Sequence, residues 1–282
     1  MVHLCCREKQ FSDIAAVIFD KDGTLADGRA YLMQLGWERS HRLDQQCPGA
    51  GDRLRRAFGI NSDFLDPFGL LAVGTRQENA IAAATYLAET GCSWQNALHH
   101  VQDIFHNADQ ALPPKAAHTP PFPGIAALLE HLSEAGLKLA VLSSDSQENV
   151  TAFLEQHNLQ HFFQGWMGAE PGKPSKPDPT LVDDLCRQLG VPPAAAVMIG
   201  DTPGDLQMAM AAKMAGSIGV TWGWGDRPSS PASQADTFKQ DAISVEPQDQ
   251  LQSMFGEKPR RLEVRNVPAS LAHFPEDIRG IP

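Results

Sequence analysis

The stretch Val17-Ile18-Phe19-Asp20-Lys21-Asp22-Gly23-Thr24-Leu25 carries the first decision about the fold. Val17, Ile18 and Phe19 are apolar residues that favour extended backbone, and Gly23 breaks the run, so a short buried strand ends at Asp20. Two carboxylates then stand two residues apart at the mouth of a strand, where open α/β sheets present ligands. In such a pair one acid can attack as a nucleophile while the other moves a proton. Taken alone, the same residues also describe an ordinary polar strand end. The surrounding chain separates the two readings.

Downstream, from residue 28 to 112, helical periodicity replaces strands. Residues 77–89 put Ala80, Ile81, Ala84, Leu87 and Ala88 on one face, with Gly91 as the stop. Ser93 caps a second helix, whose Ala97, Leu98, Val101, Phe105 and Ala108 form another stripe. An antiparallel helical pair inside a helical insert is predicted. Pro113-Pro114 and Pro120-Pro121-Phe122-Pro123 then punctuate the return as a hinge would.

Beyond the hinge, helices and strands alternate. Helices are expected over 124–135, around Val150, from Asp178-Pro179 to Gly190 with Leu181, Val182, Leu185 and Leu189 inward, and over 203–214. Strands are expected over 138–143, 162–168, 196–200 and 217–221. Alternation of this kind predicts an α/β fold, a doubly wound parallel sheet with right-handed crossovers. The expected division is a core domain of residues 1–27 and 113–245, a helical cap domain of 28–112, and a C-terminal tail of 246–282. Residues 1–13 read as a polar lead-in, 226–234 as a Pro- and Ser-rich loop, and 235–245 as an edge strand. From Gly256 the sequence loses periodicity, and a poorly ordered tail is expected.

Bulk properties narrow the class. The 282 residues, 42% hydrophobic and 20% charged, suit a soluble globular protein with proper cores. A formal net charge of −11 argues against a broad nucleic-acid-binding face. Five scattered cysteines argue against a disulfide framework and for a reducing compartment. With neither an apolar leader nor a membrane-spanning stretch, a cytoplasmic protein without membrane partners is expected. Gly168 to Lys173 lacks P-loop glycine spacing, and His99, His100 and His106 fall on a helix face as surface residues.

Four groups fall at the C-terminal ends of predicted strands or just beyond: Asp20/Asp22, Ser143-Ser144, Lys176 and Asp201/Asp205. A parallel sheet brings such ends to one crevice. Their order and spacing resemble the haloacid dehalogenase-like superfamily, and within it the capped phosphoglycolate phosphatase-like enzymes, over residues 15–225. The resemblance rests on DxDGT at Asp20 to Thr24, a hydroxyl after an apolar strand at Ser143, Lys-Pro-x-Pro at Lys176 to Pro179, and GDxxxD at Gly200 to Asp205.

That resemblance implies a Mg²⁺-dependent phosphatase acting on a small phosphorylated metabolite through an aspartyl-phosphate, with phosphoglycolate or a sugar phosphate first. It implies Asp20 as nucleophile and Asp22 as the acid that protonates the leaving oxygen and later activates water. It implies Asp20, the backbone carbonyl of Asp22 and Asp201 as Mg²⁺ ligands, with Asp205 in the outer shell. Ser143 and the N–H groups of the Asp22-Gly23 turn would hold phosphoryl oxygens. Ser144 contacts substrate or caps the next helix. Lys176 would neutralise charge, with Lys173 competing. In the cap, Arg76, Arg53, Arg55, Arg56 and Glu78 are candidates for substrate contact, although each taken singly reads better as a solvated helix-face charge.

Alternatives within and outside the family stay open. A phosphosugar mutase shares the aspartate pair. A phosphonatase is disfavoured because 28–112 contains no lysine and Lys115 lies in the hinge. A non-catalytic phospho-accepting or binding protein is disfavoured because every acidic motif position is filled.

Overall fold

In the computed structural model, residues 2–6, 9–62, 64–220, 222–223 and 260–263 are described. All four residues of the strand Ala16–Phe19 are buried, a condition met when helices cover both faces of a sheet. In chain order the elements are β1 (Val2–Cys6), β2 (Lys9–Ile14), β3 (Ala16–Phe19), α1 (Arg29–Gln46), α2 (Ala50–Phe58), β4 (Ile60–Asn61), β5 (Phe64–Leu65), α3 (Leu70–Val73), α4 (Arg76–Ala88) and α5 (Trp94–Ala111). They continue with α6 (Ile125–Glu134), β6 (Lys138–Ser146), α7 (Gln147–Gln156), β7 (Phe163–Ala169), α8 (Thr180–Leu189), β8 (Ala196–Gly200), α9 (Pro203–Ala211), β9 (Gly216–Gly219) and β10 (Arg260–Glu263).

The main sheet has the order β7-β6-β3-β8-β9, and every neighbouring pair is parallel. Side chains alternate across the central strand. Val17 and Phe19 pack with Leu129 of α6 and Phe153 of α7, whereas Ala16 and Ile18 pack with Leu185 of α8 and Met208 of α9. This is the doubly wound α/β architecture that the alternation predicts. Phe19 stands level with Val141 of β6 and Ile199 of β8, so Asp20 emerges where the strand order reverses.

Residues 1–13 differ from the expected lead-in. Strand β1 pairs antiparallel with β2 and parallel with β10, which falls within the stretch read as a tail. The reason is apolar content hidden among polar residues: Leu4, Phe11 and Ile14 join the cluster that holds Phe19 and Ile125. Gly216 of β9 leaves room for the Phe11 ring, since a Cβ there would collide with it. Burying such side chains stabilises by about 1.5–3 kcal/mol each, enough to recruit a polar-looking hairpin. The edge strand expected at 235–245 and the 226–234 loop lie outside the described residues.

Helices α1, α2, α4 and α5 bury a separate cluster that includes Leu35, Leu43, Leu54, Phe58, Leu87 and Phe105. Helix α4 opens on a capping box between Thr75 and Glu78, and Ser93 caps α5 by accepting from the Asn96 N–H. The buried apolar stripe of α4 is Ala80, Ala83, Ala84 and Leu87, with Ile81 exposed, so the face is rotated from the expected one. A small β4–β5 hairpin interrupts the otherwise helical segment. Among the described residues no helix is long and apolar enough to cross a membrane.

Candidate active site

Asp20 follows β3 directly and donates its N–H to the Ile199 carbonyl at 2.8 Å. Asp201 follows β8, and Asp205 occupies the first turn of α9. Carboxylate oxygens of these three buried residues lie within 4.8 Å of one another. Thr24 Oγ1 donates to Asp201 Oδ1 at 3.2 Å. The Lys176 ammonium sits between two of the acids, donating to Asp20 Oδ1 at 2.6 Å and Asp205 Oδ1 at 2.7 Å. Lys173, by contrast, is exposed and pairs with Glu170.

Electrostatics follow from that crowding. Burial, opposed by Lys176 and reinforced by Asp205, pushes the Asp20 carboxyl up to about 6. Burial works against the Lys176 ammonium, but Asp20 and Asp205 outweigh it and hold its proton above the ordinary range. Asp205 is fixed from the other side, because its Oδ2 accepts from the Thr202 N–H at 3.2 Å and Oγ1 at 2.7 Å. Gly200 is required next to it: a Cβ there would stand 2.5 Å from Asp205 Cγ.

Asp22 belongs to a second charged group that sequence reasoning missed. Its Oδ2 accepts from Lys21 Nζ at 2.7 Å and Lys115 Nζ at 2.9 Å. Asp145 Oδ2 faces the same two ammonium groups, 2.6 Å from Lys115 and 3.0 Å from Lys21. Burial tends to raise the Asp22 carboxyl, yet Lys115 and Lys21 hold it below the usual carboxylate range. The same lysines lower Asp145 against burial, and the two acids raise Lys115 against it. The other Asp22 oxygen, Oδ1, is buried without a hydrogen-bond partner. Lys21 was visible inside the opening motif and Asp145 two residues after Ser143; nothing local marked Lys115.

The remaining predicted residues divide. Ser143 is buried at the cavity, and its Oγ accepts from the Asp145 N–H at 3.1 Å. Ser144 lines the cavity, and the helix cap is Ser146, which accepts from the Asn149 N–H. Gly23 has a φ of +86°, and its N–H donates to the Ala26 carbonyl at 2.9 Å, closing the turn that follows Asp22. Arg76 lines the cavity, bonded to Asp109. Arg53 bonds to Glu89 and Arg55 pairs with Asp52; neither lines it.

One cavity of about 950 Å³ spans the sheet end and the helical segment, reaching from Asp20 and Lys176 to Arg39 and Arg76. Residues 14–213 match the family of haloacid dehalogenase-like hydrolases. The chain belongs to that family.

Curated relatives of this hydrolase include a phosphoglycolate phosphatase of Synechococcus elongatus, 28% identical over 78% of this chain and 90% of its own length. A probable phosphatase IndB of Dickeya dadantii is 33% identical over 73% of this chain and 81% of its own. Among solved structures, a predicted phosphoglycolate phosphatase of Haemophilus somnus shares the fold with a TM-score of 0.57 at 18% identity, covering 76% of this chain and 88% of its own. A putative β-phosphoglucomutase of Thermotoga maritima does so with a TM-score of 0.51 at 22% identity, covering 77% and 89%.

Proposed function

We propose that this hydrolase is a Mg²⁺-dependent phosphatase of small phosphomonoesters, with the helices of 28–112 as its cap. The observation that carries the reading is the convergence of Asp20, Asp201 and Asp205 around one ammonium, Lys176, at a sheet end. Three carboxylates gather against one lysine, and Asp20 is pushed up to about 6, mainly by burial, with Asp205 adding to it and Lys176 opposing. A hard cation suits such an oxygen-only set. Asp20 and Asp201 would hold Mg²⁺ together with the Asp22 carbonyl. Asp205, both of whose oxygens are already bonded, would act from outside. When bound, the ion offsets phosphoryl charge so that an anionic carboxylate can approach.

The residues then divide the work of two displacements. Asp20 attacks phosphorus while the ester P–O bond breaks, and the leaving oxygen takes a proton from Asp22. A water attacks the aspartyl-phosphate, giving its proton to Asp22 and releasing Asp20 and phosphate. Asp22, held ionised by Lys21 and Lys115, stands in the form that the second step needs. Its use as an acid in the first requires giving up one of those contacts. Ser143 and Lys176 line the cavity where phosphoryl oxygens would be held.

The phosphonatase alternative, in which a lysine amine attacks a carbonyl, is disfavoured by the state of Lys115. Lys115 does reach the site, contrary to the expectation from its place in the hinge. Asp145 and Asp22 keep its amine protonated, and an ammonium cannot form an imine.

Phosphate release from phosphoglycolate, sugar phosphates and nucleotides, with and without Mg²⁺, tests the reading. Mg²⁺-dependent release is expected; silence from folded, Mg²⁺-binding protein across the panel would overturn it.

A further inference from the structure

The cavity changes character along its length. Its sheet end is crowded with the paired charges of Asp20 with Lys176 and Asp22 with Lys115, whereas the wall from the helical segment is mostly apolar. Helix α3 gives that wall four apolar residues in a row, and Leu112 at the end of α5 adds another. Val73 is 36% exposed. Leu70, Ala72 and Leu112 are partly buried against the core of the helical segment and line the cavity as well. Contiguous apolar side chains left open in a cleft mark a binding surface.

The backbone under these side chains is fixed. Gly59 and Gly69 let two stretches of chain approach closely: a Cβ on Gly69 would stand 2.5 Å from the Phe58 carbonyl oxygen and 2.7 Å from the Gly59 Cα. Asp66 ties that approach, since its N–H donates to the Gly59 carbonyl and its own carbonyl accepts from the Gly69 N–H, both at 2.9 Å. Its carboxylate accepts from the Phe68 N–H at 2.9 Å. Helix α3 is thereby presented to the cavity already ordered, which lowers the cost of binding against it.

The charges on the same wall cancel. Asp109 accepts from Arg39 at 2.8 Å and from Arg76 at 3.0 Å, and the Glu78 carboxylate accepts from the Thr75 N–H at the start of α4. Two guanidinium groups stand with two carboxylates, so a second acid on the substrate would meet no net positive charge there. Size points the same way. The volume of about 950 Å³ lies at the upper end of the ~300–1,000 Å³ range of ordinary ligand pockets, and a phosphate on a two-carbon acid would leave most of it unfilled.

Resting on the phosphatase reading, we propose that Leu70, Ala72, Val73 and Leu112 form an apolar subsite for the end of the substrate remote from its phosphate. The substrate is then a phosphomonoester with an uncharged, hydrocarbon-rich body, and not one that ends in a second acid.

The test is a series of n-alkyl phosphates from methyl to hexyl, whose alcohols leave equally well, so that a change with length reads contact with the chain. A rise of about two- to fourfold in kcat/KM per added methylene is expected, chiefly through KM. n-Butyl phosphate is expected to surpass phosphoglycolate, which has as many heavy atoms beyond the ester oxygen but ends in a carboxylate. Val73→Asn is expected to lessen the gain per methylene. Calorimetric titration of the series onto Asp20→Asn protein reads the subsite without turnover, with a heat-capacity change that grows more negative as the chain lengthens. No rise with length in binding or turnover, or a preference for phosphoglycolate over n-butyl phosphate, overturns the subsite and leaves the phosphatase reading standing. Length-dependent binding by a chain that hydrolyses neither the series nor phosphoglycolate upholds the subsite and counts against the phosphatase reading.

Discussion

Lys115 and Asp22, 93 positions apart in the chain, meet at 2.9 Å. Lys115 starts the turn through which the chain returns from its helical segment, and Asp22 closes the motif from which it left. Both ends of that excursion are thereby fastened at the reacting end of the sheet. Asp145 completes the arrangement from β6, and Lys21, 1% exposed, fills its interior.

Removing Lys115 should therefore cost both stability and rate. Lys115→Met leaves two buried carboxylates to one ammonium, and breaking a buried pair from one side typically costs about 3–5 kcal/mol. Urea denaturation should show a loss of that order, and turnover should fall with it. A loss below about 0.5 kcal/mol would mean that the pair behaves like a solvated surface bridge.

The two lysines of the Lys173 to Pro179 segment should separate cleanly. Lys173 is exposed beside Glu170, so Lys173→Ala should stay within about 0.5 kcal/mol of the parent and keep its kcat. Lys176→Ala removes the cation shared by Asp20 and Asp205 and should lower kcat by about a hundredfold or more. Equal kinetics for the two variants would refute the geometric choice between them.

What the sequence disclosed and what it hid have a common cause. Asp20, Asp201 and Lys176 could be placed because a buried strand or a Pro-marked turn delivers each to the sheet end, and strand ends are readable from local pattern. Asp145 escaped because β6 runs to Ser146, beyond the apolar stretch that suggested a stop at Ser143. Lys115 and Arg39 became site residues only through tertiary contacts, to Asp22 and Asp109, which leave no periodic trace. Strands β1 and β2 were hidden for another reason. Their polar residues mask the apolar side chains, among them Leu4, Phe11 and Ile14, that dock on the sheet.

Mg²⁺ affinity should rank the acids. Asp201→Asn removes a proposed direct ligand, whereas Asp205→Asn alters a residue already bonded to Lys176 and Thr202. Calorimetry should show the larger affinity loss for Asp201→Asn; equal losses would contradict an outer role for Asp205. Gly200→Ala should mimic the Asp205 defect, since its Cβ pushes against the Asp205 carboxylate, and should destabilise by about 1–3 kcal/mol.

Asp20 links the site to pH in the metal-free protein. Its carboxyl is pushed up to about 6 by burial in the fold from an ordinary 3.8, so between those values the folded state binds the extra proton. Stability from this group is fully present below pH 3.8 and is lost as pH rises through about 6. The shift corresponds to about 1–3 kcal/mol lost by pH 7. Asp22 and Asp145, held low by their lysines, act in the opposite sense at lower pH, but they contribute alike to parent and variant. Asp20→Asn cannot ionise, so its stability relative to the parent should rise between pH 4 and pH 7, while its turnover disappears. Denaturant unfolding at both pH values, with chelator present, measures the difference. Parallel curves would show that Asp20 is not strained by its own charge. Substantial residual turnover would remove it as the nucleophile.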